Sequence, residues 1–305
     1  MVPNLLRIAT RESPLALWQA EHIRQQLLLH WPKLNIQLLP MTTSGDQFLK
    51  DKLQKVGGKG LFTKELEEAL LDGRADLAVH SMKDVPSMFP PGLTLAAICL
   101  RENPFDAFVS STYQALSALP QGATVGTSSL RREAQLLAFR PDLHIKPLRG
   151  NVGSRLKKLD QKEYDALILA TAGLHRLNLH DRVTEIIDEQ IMLPACGQGA
   201  LGIECRDDDL NIKNLLLPLH AWLDALCVNT ERAVNAELGG SCHTPVAIYC
   251  KPIDNSRLLL QAKVFATDGT QVISHMQTGL NQDAEKLAHL CSTALLKQGA
   301  ASLLH

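Results

Sequence analysis

Asp76-Leu77-Ala78-Val79-His80-Ser81-Met82-Lys83-Asp84-Val85-Pro86 reads as a strand, a polar cluster and a stop. Leu77 to Val79 is a short apolar run of the kind that builds a buried strand, and Gly73 ahead of it can end a helix. His80, Ser81, Lys83 and Asp84 follow directly, and Pro86 halts regular structure. In open α/β sheets ligands bind beyond the carboxyl ends of strands, so an acid–base carboxylate and a cation stand where a ligand is expected. The same residues also fit a surface Lys–Asp pair in a turn, and nothing in this segment separates the two.

A chain of 305 residues is long for one core, so two or three domains are expected. Hydrophobic content of 45% with 21% charged residues is ordinary for a soluble globular protein. A net charge of −1 gives no global attraction to nucleic acid or an anionic membrane, so any positive site must come from local clustering. Met1-Val-Pro-Asn-Leu-Leu-Arg7 lacks the basic start and apolar run of a signal peptide. No apolar run is long enough to span a bilayer. Seven cysteines, an odd count without a Cys-x-x-Cys pair, speak against a disulfide framework or a structural zinc. A reducing cytosol is the simplest fit.

At the start of the chain, Leu5 to Ala9 reads as a strand. Ser13-Pro14 then gives an N-cap and a proline at the first helical position, and Ala16, Ala20, Ile23 and Leu27 recur at helical spacing. Ile36 to Met41 is a second strand. Lys55-Val-Gly-Gly-Lys59-Gly60 is a flexible basic loop, which fits a ligand cover or a solvated loop. A helix over 61–71 follows, with Phe62 at its start.

Near residue 100 the same grammar begins again. Strands are expected at 123–127, 143–148 and 166–171, followed respectively by Thr127-Ser128-Ser129 with Arg131 and Arg132, by Arg149-Gly-Asn-Val-Gly-Ser-Arg155, and by a helix opening over Ala172–Arg176. Arg11 occupies the matching junction after the first strand. A helix N-terminus already favours anions, so cations placed there sit at a small local cost unless an anion binds. Arginine's planar fork suits carboxylate or phosphate. Six arginines at such junctions in a nearly neutral chain point to an anionic ligand.

Leu193-Pro-Ala-Cys196-Gly-Gln198-Gly199 reads as a hinge into another strand, with Cys196 a packed small hydrophobe. From about residue 218 the pattern becomes α+β: a helix over 219–238, strands at 246–250, 258–266 and 271–277, and a closing helix from an Asn281 cap to Lys297. Thr267-Asp268-Gly269 is a hairpin signal. Gly239-Gly240-Ser241-Cys242-His243 puts a cysteine on a glycine loop beside a histidine that favours thiolate, so Cys242 is the expected reactive thiol. A spectator thiol fits these residues equally.

The long motifs taken in order resemble the porphobilinogen deaminase (hydroxymethylbilane synthase) family over essentially the whole chain. They are Arg7-Ile-Ala-Thr-Arg11-Glu-Ser13-Pro-Leu-Ala-Leu-Trp-Gln19-Ala, Lys55-Val-Gly-Gly-Lys59-Gly-Leu-Phe62, His80-Ser-Met-Lys-Asp84-Val-Pro, Gly126-Thr-Ser-Ser-Leu-Arg131-Arg132, Leu148-Arg149-Gly-Asn-Val-Gly and Cys242 on its loop. The resemblance implies an α/β fold: two domains like periplasmic binding proteins around a cleft, plus a small α+β C-terminal domain. The implied boundaries are 1–100 with 200–217, then 101–199, then 218–305, the chain returning to the first domain near Gly199.

The implied reaction joins four porphobilinogen molecules head to tail into a linear hydroxymethylbilane, with loss of ammonia each time. It is primed by a dipyrromethane cofactor on a thioether to Cys242. Each porphobilinogen carries two carboxylates, which accounts for arginines in a neutral chain. By resemblance Asp84 is catalytic and bonds the pyrrole N–H groups, and Ser81, Lys83, Thr127, Ser129, Arg131 and Arg132 hold the cofactor with it. Arg11, Ser13, Gln19, Phe62, Arg149, Arg155, Arg176 and Gln198 are the implied substrate contacts, with Lys55 and Lys59 on a covering loop. No metal, nucleic acid or membrane is implied, and the expected state is a cytoplasmic monomer. Ser241 departs from many relatives, in which the Gly-Gly pair directly precedes the cysteine. Of two rivals, a non-catalytic carboxylate- or phosphate-binding module of the same two-lobed fold leaves Cys242 and Asp84 without a purpose, and a transcription factor's effector domain lacks a helix-turn-helix region ahead of the first strand.

Overall fold

The computed structural model describes residues 5–45, 62–86, 88–240 and 244–304. Alternation of buried residues starts β1 (Leu6–Arg11), and Ser13 then caps α1 (Pro14–His30), its hydroxyl accepting from the Ala16 N–H at 3.3 Å. Ala16, Gln19, Ala20, Ile23 and Leu27 form the buried face of α1, as their spacing predicts. β2 (Ile36–Met41) follows with the expected bounds. α2 (Lys64–Leu71) starts later than the sequence suggests, behind Thr63, so Phe62 precedes the helix.

β3 (Leu77–Ser81) is buried through His80. It therefore extends two residues beyond the apolar run, and the polar cluster begins inside the strand. Burying Leu77 and Val79 contributes about 1.5–3 kcal/mol each. β4 (Leu93–Ile98) and β5 (Asp106–Val109) come next, neither of them expected from the pattern.

The second set of alternating elements runs β6 (Thr124–Gly126), α3 (Leu130–Phe139), β7 (His144–Lys146), α4 (Val152–Asp160), β8 (Ala166–Ala170), α5 (Thr171–Arg176) and β9 (Glu185–Ile186). Arg176 closes α5 rather than opening it, because the helix is a single short stretch begun at Thr171. β10 (Leu201–Arg206), α6 (Leu210–Leu216) and α7 (Trp222–Glu237) follow. β11 (Val246–Pro252), β12 (Arg257–Phe265), β13 (Val272–Leu280) and α8 (Ala284–Lys297) complete the chain. Asn281 lies in a one-turn 3-10 helix ahead of α8, and its side chain donates to the Asn255 carbonyl instead of capping.

Two five-stranded sheets share one plan, β2-β1-β3-β10-β4 and β7-β6-β8-β5-β9. In each, the second strand (β1 or β6) pairs parallel with both neighbours, and the fourth strand (β10 or β5) runs antiparallel to both of its own. That antiparallel strand is the last of its sheet in chain order in the first sheet (β10) and the first in the second (β5). The third sheet is an antiparallel β11-β12-β13 meander covered by α8. The chain divides into two compact units, one within Met1–Arg101 and Ala200–Ala225, the other within Glu102–Gly199 and Leu226–His305. In the second unit Ala247, Tyr249 and Phe265 of the three-stranded sheet share a core with Ala134 of α3 and Leu193.

Candidate functional site

In the first unit the site is built on the end of β3. Its last residue leads into a 3-10 turn, Met82–Asp84, whose Met82 N–H donates to the Ala200 carbonyl at 3.0 Å. Met82 is buried against Gly202 of β10, where a Cβ would lie 2.3 Å from the methionine sulfur and 2.9 Å from Leu95 Cδ1. The missing side chain at 202 is what lets the turn sit so low on the sheet. With Met82 pinned underneath, Lys83 is half-buried and the Asp84 carboxylate is exposed. Gln19 of α1, itself buried, donates from Nε2 to Ser81 Oγ at 2.8 Å and fixes that hydroxyl. Arg11 leaves the end of β1 with its guanidinium 4.2 Å above the Phe62 ring, a cation–π contact. The Ser13 hydroxyl serves as the α1 cap.

Beneath this surface His80 Nε2 meets Glu204 Oε2 of β10 at 2.8 Å, both residues buried. Glu67 of α2 is buried in the same unit, and burial, reinforced by the negative Glu204, pushes its carboxyl above the usual range. A raised carboxyl keeps its proton in the folded chain at a pH where the unfolded chain has released it. Stability therefore falls as pH rises from the unfolded value through the folded one. Glu67→Gln removes that penalty, so its stability relative to the parent should improve as pH rises from acid to neutral. Denaturant melts over a pH series check this, and a pH-independent difference would contradict it.

In the second unit the strand-to-helix turn after β6 is a closed hydrogen-bond network. Thr127 Oγ1 accepts from the Ser129 N–H at 3.1 Å, and Ser128 Oγ both donates to the Leu148 carbonyl and accepts from its N–H, at 3.0 and 2.9 Å. Ser129 caps α3, accepting from the Arg132 N–H. Arg131 and Arg132 turn inward to Asp106, the buried first residue of β5. Arg131 Nη2 reaches Oδ2 at 2.7 Å, and Arg132 Nε and Nη2 reach Oδ1 at 3.1 and 2.7 Å. Burial would raise the Asp106 carboxyl, but the Arg131 and Arg132 charges outweigh it and hold the group well below the usual carboxylate range.

Arg155 Nε donates to the Gly150 carbonyl at 2.8 Å, and Arg176 Nη2 to the Gly199 carbonyl at 2.6 Å. Gln198 Nε2 donates to the Pro104 carbonyl and to Asp106 Oδ1, at 2.7 and 3.0 Å. Gly199 has φ +94°, and a Cβ there would stand 2.3 Å from the Glu102 carbonyl oxygen, so the segment entering β10 presses backbone on backbone. Arg149 is exposed on the loop before α4.

The six arginines are thus not alike. Arg131 and Arg132 have an anion inside the protein, Arg155 and Arg176 bond main-chain carbonyls, Arg11 lies on an aromatic face and Arg149 faces solvent. Asp106, Glu204 and Glu67 escape the sequence reading. The signal available for the first two is an acid within an apolar strand run, Phe105-Asp106-Ala-Phe-Val109 and Leu201-Gly-Ile-Glu204-Cys205. Lys55, Lys59 and Cys242 lie outside the described residues. Among the described residues no group of three or more His, Cys, Asp or Glu could hold a metal ion, and no helix is long and apolar enough to cross a membrane.

Each of the two α/β sheets carries hydroxyls and at least one arginine beyond its strand ends, and the first adds the exposed Asp84 carboxylate on a pinned turn, the pattern of an α/β anion-binding fold. The chain belongs to the porphobilinogen deaminase family. Residues 6–214 match the family model described as porphobilinogen deaminase, dipyromethane cofactor binding domain, and residues 225–297 match the model of its C-terminal domain. The porphobilinogen deaminases of Legionella pneumophila strains Paris and Philadelphia 1 are each 58% identical over 304 residues, covering 100% of this chain and 98% of theirs. Among solved structures, a putative methionine-binding lipoprotein from Bacillus subtilis aligns at 18% identity and TM-score 0.44, over 72% of this chain and 92% of its own. A periplasmic substrate-binding protein from Coxiella burnetii aligns at 16% identity and TM-score 0.44, over 74% of this chain and 96% of its own.

Proposed function

We propose that this chain joins four porphobilinogen molecules head to tail into linear hydroxymethylbilane, releasing ammonia at each step. The observation that carries the reading is the exposed Asp84 carboxylate beside Lys83 on a turn whose base is fixed by Met82 and Gly202. Membership of the family makes it a transferase of porphyrin biosynthesis with a dipyrromethane cofactor. The residues present suit that group: hydroxyls and cations match its carboxylates, and a lone carboxylate matches its pyrrole N–H groups. When bound through a thioether to Cys242, the cofactor supplies the pyrrole carbon to which the first substrate is joined.

Asp84 accepts the N–H bonds of the incoming pyrrole. Its negative charge stabilises the positive charge that develops on the substrate as the amine departs. The same Oδ atoms hold a proton for the leaving ammonia and collect the one lost from the substituted carbon. Ser81, Lys83, Thr127, Ser129, Arg131 and Arg132 bind cofactor carboxylates. Arg11, Ser13, Gln19, Phe62, Arg149, Arg155, Arg176 and Gln198 hold substrate, with Lys55 and Lys59 covering it.

Three domains divide this work: 1–100 with 200–217 carries Asp84, 101–199 binds carboxylates, and 218–305 anchors the cofactor. Near-zero net charge supports a partner list limited to the small-molecule substrate, with no nucleic acid or membrane surface, in a cytoplasmic monomer. Incubation of the purified chain with porphobilinogen should release four ammonia per hydroxymethylbilane formed. Consumption without that ratio, or no consumption, would contradict the reading.

A further inference from the structure

Asp106 occupies the first position of β5 in a run that is otherwise apolar, and it is fully buried. Its two oxygens receive three N–H bonds from the guanidiniums of Arg131 and Arg132 and a fourth contact from Gln198. Two cations against one carboxylate leave one positive charge over. That excess stands in the first turn of α3, where the helix N-terminus adds more positive potential instead of compensating it. Glu133 lies in the same turn, but side chains one or two residues apart do not share a helix face, and neither guanidinium's hydrogen bonds go to it.

The remaining contacts of the pair go to main-chain carbonyls, Arg131 Nη1 to Leu193 and Arg132 Nη1 to Ile168. The Nε of Arg131, a residue only 4% exposed, is buried without a hydrogen bond among the described residues. An uncompensated buried charge and an unsatisfied buried donor each cost the fold stability. This centre is built one anion short.

We propose that Asp106 is a positioning residue for carboxylate recognition: it locks Arg131 and Arg132 into one rigid unit and leaves that unit a single positive charge, which one carboxylate of the dipyrromethane neutralises. The inference rests on reading Arg131 and Arg132 as cofactor binders. It adds that the net charge of the centre, rather than the number of arginines, sets how well the carboxylate is held.

The test counts charge. The full chain, Arg131→Gln and the double variant Asp106→Asn with Arg131→Gln are each incubated with porphobilinogen. Intact mass follows appearance of the adduct, and thermal melts confirm that each protein is folded at the assay temperature. Arg131→Gln leaves Asp106 facing Arg132, a centre of zero charge; the double variant restores one positive charge with one arginine fewer paired. The expected order is parent fastest, then the double variant at least threefold ahead of Arg131→Gln. A structural role for Asp106 gives the reverse, because Arg131→Gln keeps the Asp106–Arg132 pair. Arg131→Gln loading as fast as or faster than the double variant would overturn the proposal. So would a double variant that fails to fold beside a folded Arg131→Gln. All three loading at the parent rate would instead remove the arginines from cofactor binding, and a parent that never loads would remove the cofactor reading itself.

Discussion

Asp84→Asn should lower kcat by roughly 10³-fold or more, because it removes an electrostatic partner and a proton carrier at once, each typically worth about 10² or more and not fully multiplicative. The fold should not notice. Asp84 is exposed at the end of a turn whose stability comes from Met82 below it, and surface substitutions usually stay within about 0.5 kcal/mol. Asparagine keeps the shape and one acceptor oxygen, so pyrrole N–H contacts survive in part while the negative charge does not. The developing substrate cation then faces a neutral amide, and the amide has no usable proton. The expected result is therefore a collapse of kcat at an unchanged thermal midpoint. A variant retaining more than about a tenth of the parent's kcat would exclude Asp84 from the chemical role.

Cys242→Ala should abolish turnover completely, with folding again retained. Five of the six cysteines described in the structure are buried. Burial pushes the Cys205 and Cys291 thiols up, to about 11 and about 12, which leaves almost no thiolate at neutral pH. Cys99, Cys227 and Cys250 are buried, and only Cys196 is half-open. Attachment through any of these five buried sulfurs is thus opposed by desolvation, and the variant should neither carry a pyrrole adduct nor release ammonia. Turnover by Cys242→Ala above background would mean that the cofactor is anchored elsewhere.

The first unit was legible where local chemistry decides the outcome. Ser13-Pro14 and the spacing of Ala16, Ala20, Ile23 and Leu27 specify α1 almost to the residue, and β2 has its expected bounds. The end of β3 was not legible. His80 reads as a polar residue outside the strand, yet its partner Glu204 stands 124 residues later, and only the antiparallel pairing of β10 brings it there. β5 was missed for a related reason: it opens on an acid, Asp106, and its solvation is replaced by arginines from α3. Arg131 and Arg132 stand in the first turn of α3, as the Thr127-Ser128-Ser129 cap predicts. That their first anion is internal is a tertiary fact with no local signature. Arg176 illustrates the opposite error, since the Thr171 start shortens the turn and moves it to the helix end. Recognition of the site thus came from long motifs, whereas its supporting carboxylates belong to strand pairing.

Family membership implies a transferase that carries its own primer, and Cys242 is its proposed anchor. The most direct measurement is the intact mass of the purified chain and of Cys242→Ala, each before and after incubation with porphobilinogen. An excess equal to a dipyrromethane is expected on the parent, present at once or appearing on incubation, with the bare sequence mass for Cys242→Ala throughout. A parent that stays at the bare mass after incubation, or a Cys242→Ala variant that gains the same adduct, would contradict that expectation.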